Sequence, residues 1–234
     1  MTDHPDDRPS GRREFLSQLA VAGLAVGTTA CSTSGALNTQ PAPASRAPGS
    51  PDAWDDTWTE RVRNHESVVY DIADVGEGST LSKAAMVMGD YKAARDYGDD
   101  RLTTVVVMRH LAVPMVFNDA MWDKYEIGKT LKVNDPTTGE PAHRNPFVRV
   151  NASDEHKLIE PGESLSALHA RGAILLGCNR ALMARASAYA KKTSVPVADV
   201  QKELRANLVP GVILQPSGVY AVVRAQNAGA AFFR

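Results

Sequence analysis

The sequence predicts an α/β protein, built on an open and mostly parallel sheet with helices on both faces. Two observations carry this prediction. Segments rich in β-branched and aliphatic residues alternate with segments whose apolar residues have helical spacing, which is the arrangement of βαβ units. The two clearest strand segments, "TTVVVM" and "AILLGC", are apolar or β-branched at nearly every position. Such runs are typical of strands that a parallel sheet buries on both faces.

The first half of the folded region alternates strand and helix twice. Residues 67–72 are predicted to form a strand, and residues 79–98 form a helix that ends near Gly98. Residues 101–110 form the second strand. Residues 113–128 are predicted to form one helix, because Pro114 suits the first turn of a helix.

The second half opens with a long excursion. Residues 126–150 contain Asp-Pro and Thr-Gly turn signals and two further prolines, which favour a long loop with a short hairpin. A loop of this length in a compact domain is usually functional or makes contacts. The remaining elements are a helix over 160–172, a strand over 173–178, helices over 179–192 and 197–207, a short strand within 211–218, a helix to residue 228 and a final strand over 230–234.

The N-terminus has the pattern of an export signal. Arg12 and Arg13 precede a weakly apolar run over residues 16–26, which is too short to cross a membrane as a helix. This order resembles a twin-arginine signal peptide, here residues 1–31. A small residue precedes Cys31, so lipid attachment at Cys31 and ordinary cleavage beside it both fit.

The residues after the signal divide into a linker and one domain. Residues 32–54 are rich in Ser, Thr, Pro, Ala and Gly, and have too little apolar surface to offset the entropy of ordering, so they are predicted to be a disordered linker. Residues 55–234 have the length of a single domain. The signal places that domain in the periplasm, or on the outer side of the membrane if Cys31 carries a lipid.

Composition and charge exclude several classes of partner. The chain has 234 residues and a net charge of −1, so electrostatics favours neither nucleic acid nor a charged membrane surface. It has two cysteines, and with Cys31 in the signal region Cys178 has no partner for a disulfide within the domain. The histidines show no ligand spacing, and we expect neither a metal nor a cofactor.

Polar residues follow each predicted strand. In an open parallel sheet the ligand crevice lies outside the carboxyl ends of the strands, so we expect these residues to meet at one edge. A cysteine there, at the N-terminus of a helix and near arginines, is favoured in its reactive thiolate form. The alternative is that Cys178 packs under the sheet as a small apolar side chain. The strand-end residues are Asp71, Asp74, Arg109, His110, Cys178, Asn179, Gln215, Ser217 and Gly218.

Two stretches of the C-terminal half resemble a known family. "LHARGAILLGCNRAL" and "LVPGVILQPSGVYAVVRAQNAGAAFF" are similar to the DsrE-like family of small sulfur-relay and sulfurtransferase-type proteins. The resemblance covers residues 160–234 and is weaker over 66–125. It implies a single domain with a five-stranded sheet, layered as in flavodoxin- or Rossmann-type folds. It also implies homo-oligomers, often trimers or multiples of them.

In active members of this family, a cysteine at the end of this strand carries sulfur as a persulfide. Cys178 matches that position, whereas Asn179 and Arg180 depart from the small polar residues that usually follow it. The resemblance thus implies a sulfur carrier or sulfurtransferase with Cys178 as the acceptor. Its partner would be a sulfur-containing small molecule or a sulfur-donor protein.

Other side chains at the same edge are candidates for substrate binding. Arg109 is expected to hold a sulfur oxyanion bidentately. The remaining candidates are His110, Asn179, Arg180 and Ser217. Two alternative functions stay open: a noncatalytic module that binds a ligand or partner, and an accessory subunit of an exported redox complex.

Overall fold

Five short strands form one sheet in which every neighbouring pair is parallel. The computed structural model describes residues 54–233, apart from the side chain of Glu77. The signal predicted over 1–31 and nearly all of the linker predicted over 32–54 lie outside the described residues. The strands are β1 (Glu66–Ile72), β2 (Leu102–Met108), β3 (Ile174–Cys178), β4 (Val212–Gln215) and β5 (Ala231–Phe233), in the spatial order β4-β3-β2-β1-β5. The predicted fold class is confirmed.

Eight α-helices and three 3₁₀ segments connect or flank these strands within the described residues. No helix among the described residues is long and apolar enough to span a membrane. The α-helices are α1 (Thr59–Arg63), α2 (Ser79–Arg95), α3 (Asp119–Lys124), α4 (Ile127–Leu131), α5 (Leu165–Ala170), α6 (Asn179–Thr193), α7 (Val197–Ala206) and α8 (Gly218–Asn227), and the 3₁₀ segments are Gly76–Gly78, His110–Val116 and Pro161–Glu163.

The apolar strand runs exist because the sheet is buried on both faces. Every residue of β2 is buried. Val106 belongs to the larger core on one face, whereas Val105 and Val107 belong to the smaller core on the other. Since successive side chains of a strand point to opposite faces, a strand covered on both sides needs apolar residues at consecutive positions.

The two faces are covered by different helices. On the first face, α2, α6 and α7 contribute Leu81, Leu182 and Leu204 to the larger core. On the second face, α1 and α8 contribute Val62 and Ala221 to the smaller core. From β1 to β4, each new strand is added to the sheet on the same side of the strand before it. The chain then crosses back through α8 and adds β5 on the other side of β1. Because parallel crossovers are right-handed, this reversal puts α8 on the opposite face.

The reversal creates a crevice at the edge of the sheet where the strands end, here called the carboxyl edge. From the end of β3 the chain enters α6 on the first face, and from the end of β4 it enters α8 on the second face. Neighbouring strands whose connections leave toward opposite faces leave a gap between those connections, which is where open α/β sheets bind ligands. The fold therefore places such a gap beside Cys178.

The single helix predicted over residues 113–128 is wrong. A 3₁₀ segment ends at Val116, and the chain is extended at Phe117 and Asn118 before α3 begins. The cause is tertiary: Phe117 forms an antiparallel bridge with Leu208, and the Asn118 amide donates to the carbonyl of Asn207 at 3.0 Å. Asn118 then caps α3 by accepting a hydrogen bond from the Met121 amide.

Two other predicted boundaries shift for local reasons. The helix predicted over 160–172 begins only at Leu165, because Ser164 is extended and its hydroxyl accepts from the Ala167 amide, while Pro161 opens a separate 3₁₀ turn. The helix predicted to reach Gly98 ends at Arg95, where Asp96 adopts the left-handed conformation with φ of 53°.

The excursion predicted over 126–150 is mostly irregular, but it contains α4 and an isolated antiparallel bridge between Asn134 and Pro141. Asn145 ties it to the turn after β2. The Asn145 side-chain amide donates to the carbonyls of Met115 at 2.8 Å and Phe117 at 2.7 Å, and its oxygen accepts from the Phe147 amide. The excursion is thus anchored to the segment that follows Arg109 and His110.

Candidate functional site

A cavity of about 630 Å³ opens at the carboxyl edge, where the fold leaves its gap. Its walls come from three places: residues 109–111 after β2, residues 217–219 after β4, and five residues at the end of β3 and along α6. Those five are Cys178, Arg180, Ala181, Ala184 and Arg185. We call this cavity the Cys178 pocket. The volume lies in the range of small-molecule sites, which is about 300–1,000 Å³.

Cys178 lies at the junction of β3 and α6. It is the free cysteine of the described residues, and 6% of its surface is exposed. Its Sγ accepts a hydrogen bond from the Ala181 amide at 3.3 Å, so the sulfur caps the N-terminus of the 15-residue helix α6. The free amides and the dipole at a helix N-terminus stabilise a negative charge, and here that charge would be a thiolate.

Arg109 lies on the wall next to Cys178 and is held by a carboxylate. Its Nε donates to Oδ1 of Asp71 at 2.5 Å, and its Nη2 donates to Oδ2 at 2.7 Å. This bidentate bond is the main cause that raises the pKa of Arg109; partial burial opposes it, and the charges of Asp71 and Cys178 add to it. The guanidinium and a Cys178 thiolate therefore attract each other.

The pairing with Asp71 limits which edge of Arg109 can bind an anion. The Nε edge of the guanidinium is occupied by Asp71, so a sulfur oxyanion would have to bind at another edge. A guanidinium has five N–H donors, and the two on Nη1 and one on Nη2 remain. Arg109 can thus offer an anion its Nη1–Nη2 edge, on a side chain whose orientation Asp71 has already fixed.

Gly218 makes room for Arg109. A Cβ at this position would lie 2.5 Å from Cβ and 2.8 Å from Cδ of Arg109, so the arginine stem packs directly on the first turn of α8. No side chain larger than hydrogen fits there unless Arg109 moves. The preceding residue, Ser217, caps α8 by accepting from the Tyr220 amide at 3.1 Å. The N-termini of α6 and α8 therefore both border the pocket.

Two further guanidiniums line the pocket on α6. Arg180 is exposed and Arg185 is half-buried. Neither forms an ion pair with a carboxylate among the side chains that the structure describes. Arg109 is neutralised by Asp71, but these two charges are not balanced locally. The pocket thus carries a positive potential and favours an anionic ligand.

The structure brings together five of the six residues that sequence predicts for the site. Cys178, Arg109, His110, Arg180 and Ser217 line one pocket. His110 is exposed and adopts a left-handed conformation with φ of 53°, which is uncommon for residues other than glycine and is often found at functional sites.

Asn179 does not line the pocket. Its Oδ1 accepts a hydrogen bond from Nη2 of Arg205 at 2.7 Å, so its side chain is engaged with α7. Gln215 also lies outside the pocket: it is fully buried, and its Nε2 donates to the carbonyl of Asp55 at 2.7 Å. The side chain of Asn179 therefore lies outside the pocket in which the sequence predicts it, and its predicted role in binding has no geometric support.

Sequence reasoning missed five residues of the pocket wall. One of them, Arg185, carries a signal in the sequence: it follows Arg180 by five residues on the same helix, within two turns of the thiol. The other four are aliphatic and give no chemical signal at all. They are Leu111, Ala181, Ala184 and Val219.

Comparison with known proteins adds little to this geometry. No family model matches the sequence, and no curated protein matches it significantly. Among solved structures, a protein of unknown function, MTH1491 from Methanobacterium thermoautotrophicum, is similar at 17% identity with a TM-score of 0.38. The alignment covers 72% of this chain and 98% of that one. Within the described residues, no cluster of three or more His, Cys, Asp or Glu side chains could hold a metal ion.

Proposed function

We propose that this chain is an exported sulfur carrier or sulfurtransferase of DsrE-like type, with Cys178 as the sulfur acceptor. The observation that carries the proposal is the position of the Cys178 thiol: it lies in the pocket at the carboxyl edge, at the N-terminus of α6 and beside a fixed guanidinium. The pocket gives a small sulfur donor access to the thiol, and the helix N-terminus and the guanidinium place positive charge beside it. The thiolate is the form that attacks sulfur.

The proposed reaction balances without an added oxidant. The Cys178 thiolate attacks the outer sulfur of a sulfane donor such as thiosulfate, and an S–S bond forms as the donor's own S–S bond breaks. Sulfite leaves with the electron pair of the broken bond, and Cys178 becomes a persulfide. A thiolate of an acceptor then takes the outer sulfur and restores the Cys178 thiolate. Arg109 and the helix N-terminus stabilise the negative charge of the persulfide.

A second candidate function has an observation of its own in its favour. The burial of Cys178 and the use of its sulfur as a helix cap are also what a structural thiol would show. In that case the pocket would bind an anionic ligand or a partner without covalent chemistry. The two functions differ in whether the native thiol reacts.

Mass spectrometry of the native protein after incubation with thiosulfate or polysulfide tests the proposal. We expect a gain of about 32 Da, one sulfur atom, on the peptide that contains Cys178. The gain should be absent in Cys178→Ser and present in Cys31→Ser, which controls for the chain's second cysteine. If the Cys178 thiol reacts only after denaturation, the proposal is wrong and a noncatalytic role is favoured.

The location is part of the same proposal. We place the domain in the periplasm, or at the outer membrane surface through a lipid on Cys31, because Arg12 and Arg13 precede a weakly apolar segment and a small-residue site. In that compartment a sulfur donor would be an extracellular or periplasmic compound.

A further inference from the structure

We infer that the ligand of the Cys178 pocket is a small organic thiol derivative that bears carboxylates, such as a persulfide or disulfide of a peptide-like thiol. This inference names the substrate class of the proposed function, and it rests on that function only for the role of the sulfur. Three independent properties of the pocket support it: its volume, its apolar walls and the positions of its unpaired charges.

The cavity is larger than an inorganic sulfur donor would fill. At about 30 Å³ per liquid water molecule, the cavity of about 630 Å³ corresponds to roughly 20 waters. Thiosulfate or a short polysulfide would leave most of that space to solvent. A ligand that is bound well usually has most of its surface buried, so the cavity matches a molecule of the size of a short peptide.

Much of the pocket wall is apolar, and an inorganic anion has no carbon skeleton to pack against it. Leu111 and Val219 line the pocket from the segments after β2 and β4, and they expose 52% and 63% of their surface. Ala181 and Ala184 line it from α6. Burying apolar side chains such as these against the carbon skeleton of a ligand is favourable by about 25 cal/mol per Å². A fully hydrated inorganic ion would gain nothing from them.

The charges are divided between two parts of the pocket. Arg109 is paired with Asp71 and is coupled electrostatically to Cys178, so it serves the reacting sulfur. Arg180 and Arg185 line the α6 wall without a carboxylate partner among the described side chains. Guanidiniums bind carboxylates bidentately. A ligand with its sulfur at Cys178 and carboxylates toward these two arginines would satisfy both parts at once.

The test uses S-methylglutathione, a peptide thioether that carries carboxylates but cannot transfer sulfur. Isothermal titration of the unmodified protein should show saturable binding. Arg180→Gln and Arg185→Gln should each weaken it about tenfold, because each removes a charge-assisted hydrogen bond. Arg95→Gln is the matched control: Arg95 is exposed in the last turn of α2, at the opposite edge of the sheet, and should leave the affinity unchanged.

A change in the ligand checks the same point without any substitution in the protein. The dimethyl ester of S-methylglutathione has no carboxylate and should bind about tenfold more weakly than the parent compound. Absence of binding by the unmodified protein would overturn the inference. So would an Arg180→Gln/Arg185→Gln double variant that binds S-methylglutathione as tightly as the unmodified protein does.

The outcome is separable from that of the proposed function. If thiosulfate forms the adduct on Cys178 but S-methylglutathione does not bind, the sulfur carrier stands and the organic substrate is wrong. If S-methylglutathione binds with the expected dependence on Arg180 and Arg185 but the native thiol accepts no sulfur, the ligand class stands and the proposed chemistry is wrong.

Discussion

Arg109 owes its orientation to two residues on other elements. Asp71, at the end of β1, fixes the guanidinium through two hydrogen bonds, and Gly218, in the first turn of α8, leaves room for the aliphatic stem. An arginine fixed in this way loses little conformational entropy when it binds an anion. The position of Arg109 in the pocket thus depends on the sheet and on the helix α8 that covers its second face.

Gly218→Ala tests this dependence directly. The new Cβ would lie within 3 Å of the Arg109 stem, so the arginine has to move and its bond to Asp71 is strained or lost. We expect a loss of about 1–3 kcal/mol in the free energy of unfolding, measured by urea denaturation. If Cys178 accepts sulfur as proposed, the rate of that transfer should fall in parallel, because the guanidinium is displaced in the wall of the pocket.

Gly89→Ala is the matched control for that substitution. Gly89 lies inside α2, and a Cβ there would meet nothing within 4 Å. The change should stabilise the protein by about 0.5–1 kcal/mol, since alanine is a better helix former than glycine. A Gly218→Ala protein as stable as the Gly89→Ala protein would show that Arg109 does not depend on Gly218.

The left-handed backbone conformation of His110 could not be predicted from the sequence. Its φ of 53° lets the chain turn so that the amides of Leu111 and Ala112 both donate to the carbonyl of Ala73. A left-handed conformation costs a residue other than glycine about 1–2 kcal/mol. Glycine or asparagine would have signalled this turn, whereas a histidine is a weak signal. The sequence therefore predicts the position of His110 at the carboxyl edge but not its backbone conformation.

At the scale of the elements, the irregular segment between α4 and α5 is attached to the pocket through one buried side chain. Asn145 is 2% exposed, and it is hydrogen-bonded to the carbonyls of Met115 and Phe117 and to the amide of Phe147. Those carbonyls belong to the segment between β2 and α3, which begins with the pocket residues 109–111. No residue of the excursion itself lines the pocket.

Asn145→Ala should therefore be strongly destabilising. It leaves two buried carbonyls and one amide without their partners, and each unsatisfied group costs about 1–3 kcal/mol. The urea midpoint of unfolding is the measurement. Asn151→Ala serves as the control, because Asn151 is exposed and surface changes of this kind are usually within about 0.5 kcal/mol. Equal midpoints for the two variants would contradict the anchoring role of Asn145.

The strands were predictable from the sequence, whereas one of the helices was not. A strand buried on both faces needs consecutive apolar residues, and β2 and β3 show that pattern locally. The helix predicted over 113–128 failed because Phe117 pairs with Leu208, far along the chain, and no local pattern reports such a contact. The helix predicted from residue 160 begins later, because Ser164 caps it and Pro161 opens a separate 3₁₀ turn.

At the scale of the whole molecule, topology explains how much of the site could be predicted. Residues from the ends of β2, β3 and β4 meet because parallel strands end at one edge, so Arg109, Cys178 and Ser217 were found from chain order alone. The strand order and the reversal that puts α8 on the second face were not readable from the chain. For that reason the wall residue Val219, on α8, was missed.

The predicted location bears on the fate of the thiol. An exported protein meets oxidants that convert exposed thiols to disulfides or higher oxidation states. Cys178 is the free cysteine of the described residues, and its burial in the wall of a pocket limits access to small molecules that fit there. A buried thiol of this kind is compatible with reactivity toward a small substrate and is shielded from large oxidised partners.

Export can be tested with the full chain in a bacterial host that has a twin-arginine pathway. Replacing Arg12 and Arg13 by lysine keeps the charge but removes the paired arginines that the pathway recognises, so the protein should remain in the cytoplasm on cell fractionation. Arg8→Lys is the matched control, since Arg8 lies outside the pair. If the double variant reaches the periplasm as efficiently as Arg8→Lys, then residues 1–31 are not a twin-arginine signal, and the domain is exported by another route.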